Sequence, residues 1–193
     1  MNGLAGRNGI ADGIAATFTS YSPVVFAGLF AYYFLAARRR PETRLRLRRA
    51  VILAGLAGTF AVLLSGLMET VIYRPRPFVA LPPGQVTLLV PHTPSSSFPS
   101  DHAAGSAAFA VGMWRHAPDS SPARWVFAGV ALLVGFSRLV AGVHWPSDVA
   151  GSFVLGGLVA LITPWVLKPA WPWVESILGW FEKVEAHLRS KHV

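Results

Sequence analysis

Long apolar runs divided by short, strongly polar segments limit what this chain can become. The runs cover residues 20–37, 50–72 and 125–140, and a last stretch follows Asp148 and ends at Leu167. Crossing a bilayer core takes about 20 apolar residues in a helix. A backbone in hydrocarbon must satisfy its own N–H and C=O groups, which a single span can do only as a helix. Charged residues make up only 13% of the chain, against about 25% in ordinary soluble domains. The expected fold is all-α: a polytopic membrane bundle of about five spans, one domain over residues 1–193, with an interfacial helix at each end.

Charge is arranged as topology rather than as a binding surface. The formal net charge is +8, but seven arginines fall within residues 38–49, between two apolar runs. A cationic loop so placed stays cytoplasmic by the positive-inside rule, and contact with anionic lipid headgroups follows as a by-product. No nucleic-acid partner is expected. The chain has no cysteine, which excludes disulfides and thiolate chemistry. Residues 2–12 lack the charged-then-apolar pattern of a cleaved signal.

Residues 2–20 mix Gly3, Gly6 and Gly13 with Arg7 and Asp12 and carry too little apolar length to cross. A short interfacial or re-entrant helix is expected there, followed by a first span at 20–37. Arg44, Arg46, Arg48 and Arg49 are assigned to the cationic loop. The second span carries Ala54, Gly55, Ala57 and Gly58, small residues that admit a close neighbour, and Glu69 near its far end. Pro75 and Pro77 break it. Residues 103–114 make a helix too short, at 1.5 Å per residue, for a core about 30 Å thick. Its N-terminus, with Ser100 and His102, should therefore lie below the membrane surface and within protein.

Counted from a cytoplasmic arginine loop, segments 74–102 and 142–148 both fall on the outer face. Residues 170–190 fall inside, with Trp173, Val174, Ile177, Leu178, Phe181, Val184 and Leu188 at helical spacing opposite Glu175, Glu182, Lys183 and Glu185. That pattern predicts an amphipathic helix on the membrane surface.

The polar residues gathered on the outer face are Arg74 and Arg76, then Ser100, Asp101 and His102, then Arg138, then His144 and Asp148. Ser100 and Asp101 sit where a helix begins, so free backbone N–H groups and the positive end of the dipole attract phosphate there. Guanidinium pairs bidentately with phosphate oxygens. Two histidines with separate neighbours supply a nucleophilic nitrogen and a proton donor, as phosphoryl transfer through a covalent intermediate requires. His144 and Asp148 are four apart, so the carboxylate can hold one ring nitrogen and leave the other to attack; His102 then remains as the acid.

These residues resemble the signatures of the type 2 phosphatidic acid phosphatase superfamily. Ser137-Arg138, His144 and Asp148 match the third signature, and Pro99-Ser100-Asp101-His102 the second, with aspartate where most members have glycine. Arg76-Pro77 matches the end of the first. The Phe-Pro-Ser-Asp-His form, the Arg-Pro-Phe ending and the small size are similar to the undecaprenyl-diphosphate phosphatases of the bacitracin-resistance type. The resemblance covers roughly residues 50–167 and implies a membrane phosphatase with no metal and no cofactor. It implies that His144 is phosphorylated, that His102 protonates the leaving group, and that Arg76 and Arg138 grip the phosphoryl group.

One position departs from the pattern: Glu69 stands where the first signature begins with lysine. Either Arg74 supplies the second positive charge, or Glu69 serves another purpose, such as orienting an arginine. The expected partners are undecaprenyl diphosphate or a related lipid phosphate and the surrounding lipids, with a homo-oligomer left open. Phosphatidylglycerophosphate or phosphatidic acid is the alternative substrate, and a non-catalytic lipid-carrier transporter is the alternative function. Metal ligation by His144 and Asp148 is disfavoured because neighbouring arginines repel a dication. Asp101 serves either as a helix cap or at the site. His92, His116, His187 and His192 are read as structural, and Trp125, Trp165, Trp171 and Trp173 as interfacial anchors.

Overall fold

The computed structural model describes residues 2–190, with side chains to residue 187. The Leu188 side chain and His192 therefore lie outside the described residues. Seven α-helices and no strand occur among those residues: α1 Gly9–Ala36, α2 Arg44–Val71, α3 Pro77–Ala80, α4 Asp101–His116, α5 Ala123–Val140, α6 Pro146–Val166 and α7 Trp171–Ser190. Four described helices are long and apolar enough to span a membrane: α2, α5, α6 and α1 with its short continuation. Their outward positions, among them Leu63, Leu67, Val154, Leu158, Ile162 and Trp165, are exposed and apolar, as a lipid-facing surface requires.

α4 is the fifth member of the bundle and its centre. At 16 residues it is about 24 Å long, and α2, α5 and α6 pack around it. In lipid no hydrophobic force drives helices together, so close packing of small residues must do it. Ala103, Ala104, Gly105, Ser106, Ala107, Ala108 and Gly112 of α4 are all buried. A Cβ built on Gly156 of α6 would lie 2.1 Å from the Ala104 carbonyl oxygen, and one on Gly112 would lie 2.8 Å from the Ala54 Cα of α2. Any side chain at either position would force the helices apart.

Two boundaries differ from the sequence reading. Residues 2–20 do not form a separate interfacial or re-entrant helix: α1 runs unbroken from Gly9, through Pro23, to Ala36. Its start is set by Asn8, whose side chain accepts from the Ile10 and Ala11 N–H groups, and by Asp12 in the first turn, favourable to the dipole. Arg44 to Arg49 are not loop but the opening turns of α2. Arginine is a strong helix former, and these charges find carboxylates on α7: Arg44 and Arg48 pair with Glu182, Arg48 also with Glu185, and Arg49 with Glu175.

α7 is amphipathic in the opposite sense from a helix whose apolar face packs on protein. Glu175, Leu178, Glu182 and Glu185 form the face turned to the bundle, with Leu178 buried, whereas Trp173, Ile177 and Trp180 are exposed. The chain thus has an arginine-rich end, where α2 starts and α7 docks. The end of α2, the starts of α4 and α6 and the end of α5 meet at the other, joined by Asn2, whose side chain bonds the Thr87 backbone and the Val140 carbonyl.

Candidate active site

Four turns of chain converge at the end opposite the arginine-rich one. Arg76 follows α2, Ser95 to Ser97 precede α4, Arg138 ends α5, and His144 lies in the turn before α6. His144 is 3% exposed. Its Nδ1–H donates to the Ser97 carbonyl at 2.7 Å, which assigns the ring proton to Nδ1 and makes Nε2 an acceptor. Arg76 Nη1 and Arg138 Nη2 stand 3.2 and 3.1 Å from that Nε2. Burial, then the Arg138 and Arg76 charges, push His144 far below the ordinary histidine range, so it is a neutral imidazole.

The arginines are anchored by neutral groups. Arg76 donates to the Val143 carbonyl and Ser95 Oγ, and Arg138 to the Thr19 carbonyl of α1. No carboxylate pairs with either among the described residues. The Nε of each arginine and Ser100 Oγ are buried without a partner. Buried polar groups are normally satisfied, and each orphan costs on the order of 1–3 kcal/mol. Glu69 and Asp101 line the same cavity and act on both guanidinium groups at longer range without pairing with them, so both arginines keep donors for a further acceptor.

Asp148 does not take the role its spacing predicts. Its Oδ2 lies 3.9 Å from His144 Nδ1, too far for a hydrogen bond. The carboxylate accepts instead from Ser97 Oγ at 2.5 Å, from the Trp145 N–H at 2.8 Å and from Arg74 Nη1 at 2.5 Å. As the third residue of α6 it is drawn to the orphan N–H groups of its own helix start. It therefore reaches His144 through Ser97, which binds Asp148 with its hydroxyl and the imidazole with its carbonyl. Arg74 is committed to Asp148 and Ser147, over the Trp145 ring, and is not among the residues lining the polar cavity.

His102 donates from Nδ1 to Asp101 Oδ1 at 2.8 Å, and the same carboxylate oxygen accepts the His102 backbone N–H. Both residues line a polar cavity of about 350 Å³ together with Glu69, Arg76, His92, Ser95 and Arg138. His102 lines this cavity, whereas His144 and Ser100 do not; His144 adjoins it only through the two arginines that touch its Nε2. Glu69 lines this cavity without an ion pair to either arginine among the described residues. No cluster of three or more His, Cys, Asp or Glu side chains suited to a metal occurs among the described residues, and the Nε2 a metal would need already faces two guanidinium groups.

Sequence reasoning missed two contributors. His92, read as structural, lines the cavity with Nε2 3.5 Å from Arg138 Nη2, and burial foremost lowers its pKa. A lone histidine in a proline-containing loop gives no signal of this. The run Ser95-Ser96-Ser97 was read only as polar loop, yet Ser95 bonds Arg76, Ser96 bonds the Ile72 carbonyl and Ser97 holds His144 and Asp148. Three consecutive serines beside a signature histidine helix were the available clue.

A second cavity, apolar and about 420 Å³, lies between α1, α2 and α4 and is lined by Pro23, Phe26, Phe30, Val62, Gly105 and Phe109. It shares Asp101 and His102 with the polar cavity.

A model of the PAP2 superfamily matches residues 50–172. The chain is 29% identical to the undecaprenyl-diphosphatase BcrC of Bacillus subtilis (strain 168), over 99% of this chain and 93% of that protein. It is 32% identical to the bacitracin transport permease protein BcrC of Bacillus licheniformis, over 89% of this chain and 83% of that one. The crystal structure of Aquifex aeolicus LpxE superposes with a TM-score of 0.59 at 25% identity, covering 82% of this chain and 87% of that one.

Proposed function

This chain belongs to the PAP2 superfamily, and from that premise we propose that this membrane lipid phosphatase removes the terminal phosphate of undecaprenyl diphosphate through a phosphohistidine. The observation that carries the reading is the pair of arginines, neither in an ion pair among the described residues, that meet at His144 Nε2. The substrate class is supported by the similarity to the Bacillus subtilis undecaprenyl-diphosphatase and by the apolar cavity that adjoins the polar one at His102. That cavity is where the first isoprene units would lie, with the rest of the tail in the bilayer.

In the proposed reaction the terminal phosphoryl group takes up the Arg76 and Arg138 donors and Ser100 Oγ. His144 Nε2 attacks phosphorus in line as the bond to the bridging oxygen breaks. Ser97, backed by Asp148, holds the Nδ1 proton and steadies the ring as it gains charge. His102, held at Nδ1 by Asp101, donates its Nε2 proton to the departing lipid phosphate. The same nitrogen then takes a proton from water, which attacks the phosphohistidine and releases inorganic phosphate and free His144. The seven arginines of segment 38–49 support a cytoplasmic location for that end, which would open the site outward.

The test is phosphate release from undecaprenyl diphosphate by purified protein in detergent, with EDTA present. His144→Ala should reduce turnover to background, and His102→Ala should reduce it by about 10²–10⁴-fold. Turnover surviving in the His144 variant would sink the covalent route. Faster turnover of phosphatidylglycerophosphate or phosphatidic acid would reassign the substrate. The Bacillus licheniformis relative is called a transport permease protein, which makes transport the second reading. Movement of lipid between leaflets by His144→Ala would favour that reading.

A further inference from the structure

Helix α1 lies outside the 50–172 segment matched by the family model, yet it enters the site. Thr19 Oγ1 donates to Ser137 Oγ at 3.1 Å, and the Thr19 carbonyl accepts from Arg138 Nη1 at 3.1 Å; both bonds are buried. In an uninterrupted helix that carbonyl would be taken by the N–H of residue 23. Residue 23 is a proline inside α1. It has no N–H, and its ring crowds the carbonyl four residues earlier. A carbonyl freed in this way within a membrane needs another donor, and Arg138 supplies it.

We infer that Pro23 is a positioning residue for phosphoryl binding. By withholding its N–H it opens the Thr19 carbonyl, which anchors one end of the Arg138 guanidinium. The other end stays on His144 Nε2, and the buried Nε is left for the anion. This inference rests on the reading that Arg138 grips the phosphoryl group.

The test is Pro23→Ala in the full chain. Alanine restores the N–H, which reclaims the Thr19 carbonyl. Alanine is also the better helix former, so the melting temperature should hold or rise. At the same time kcat/KM should fall between about tenfold and a hundredfold through misplacement of Arg138. Inorganic phosphate, a probe with no lipid tail, should inhibit the variant correspondingly less well.

That probe matters because Pro23 also lines the apolar cavity. A raised KM for lipid with unchanged phosphate inhibition would make Pro23 a tail contact and overturn the inference. So would a drop in melting temperature, which would make it a packing residue. A second variant isolates the missing N–H: a backbone ester at position 23, made by incorporating lactic acid, lacks both ring and N–H and should keep near-parental kcat/KM. An ester variant as slow as Pro23→Ala would refute the role. These outcomes are separable from the phosphatase reading itself, which stands or falls on His144→Ala.

Discussion

Arginine is used in two opposite ways at the two ends of this bundle. At the α7 end, Arg48 is fully buried and pairs with both Glu182 and Glu185, while Arg44 and Arg49 pair with Glu182 and Glu175. At the site end, Arg76 and Arg138 are buried almost as deeply, yet only carbonyls, a serine and imidazole nitrogens contact them. The first arrangement is closed by ion pairs: each of these three arginines has a carboxylate partner. The second is open: among the described residues no carboxylate pairs with either arginine, and Glu69 and Asp101 act on them only at longer range. The difference teaches that burial of a charge marks a binding site only when its compensation is missing.

The contrast can be broken by experiment at either end. Removing both carboxylates with Glu182→Ala and Glu185→Ala would leave the Arg48 charge buried and unmatched. The expected loss is about 3–5 kcal/mol of stability, measured by thermal unfolding in detergent, with kcat/KM of the folded fraction unchanged. A double variant as stable as the parent would show that the α7 contacts are ornamental. Next in size, Arg76→Ala should lower kcat/KM by about 10²–10³-fold, with a smaller stability change than the glutamate pair produces. Steady-state phosphate release reads the first quantity, and an arginine variant that melts early but turns over normally would reverse the assignment.

The smallest effect sharpens the comparison through pH. His144 is held neutral by burial and by its two arginines, whereas in the unfolded chain it takes up a proton near pH 6.5. The unfolded state therefore binds more protons below that pH, and stability is lost as pH falls through and below it toward the depressed native value. Between pH 6.5 and 5 the expected loss is about 2 kcal/mol, to which His92, lowered in the same direction, adds. His144→Gln should flatten the dependence of melting temperature on pH. An unchanged slope would mean that His144 is not the group that titrates.

Much of the fold is legible in the sequence, for identifiable reasons. The spans were legible because a bilayer demands length and apolarity from each segment on its own. The motif histidines and arginines stand out because their spacing is fixed: Arg138 near the end of α5, His144 in the turn and Asp148 in the first turn of α6 fall within a short stretch of sequence. Helix boundaries were less so. Arg44 to Arg49 read as a loop because their partners, the α7 glutamates, lie more than 120 residues away, and α1 was divided at residue 20 because its first turns are only weakly apolar.

Composition and order of residues by themselves determined that this chain is a helical membrane protein carrying the motif histidines and arginines of its family. Only the tertiary structure decided who holds whom: that the Ser97 carbonyl, not Asp148, accepts the His144 Nδ1–H; that Arg74 is spent on Asp148; that His92 joins the cavity; and that α1 anchors Arg138 through Thr19. The reason is that local periodicity and spacing report a residue's own environment along one helix or turn. A hydrogen bond between helices depends on crossing geometry, which close contacts such as that of Gly156 with Ala104 impose. That geometry is a property of the assembled bundle and of no single segment.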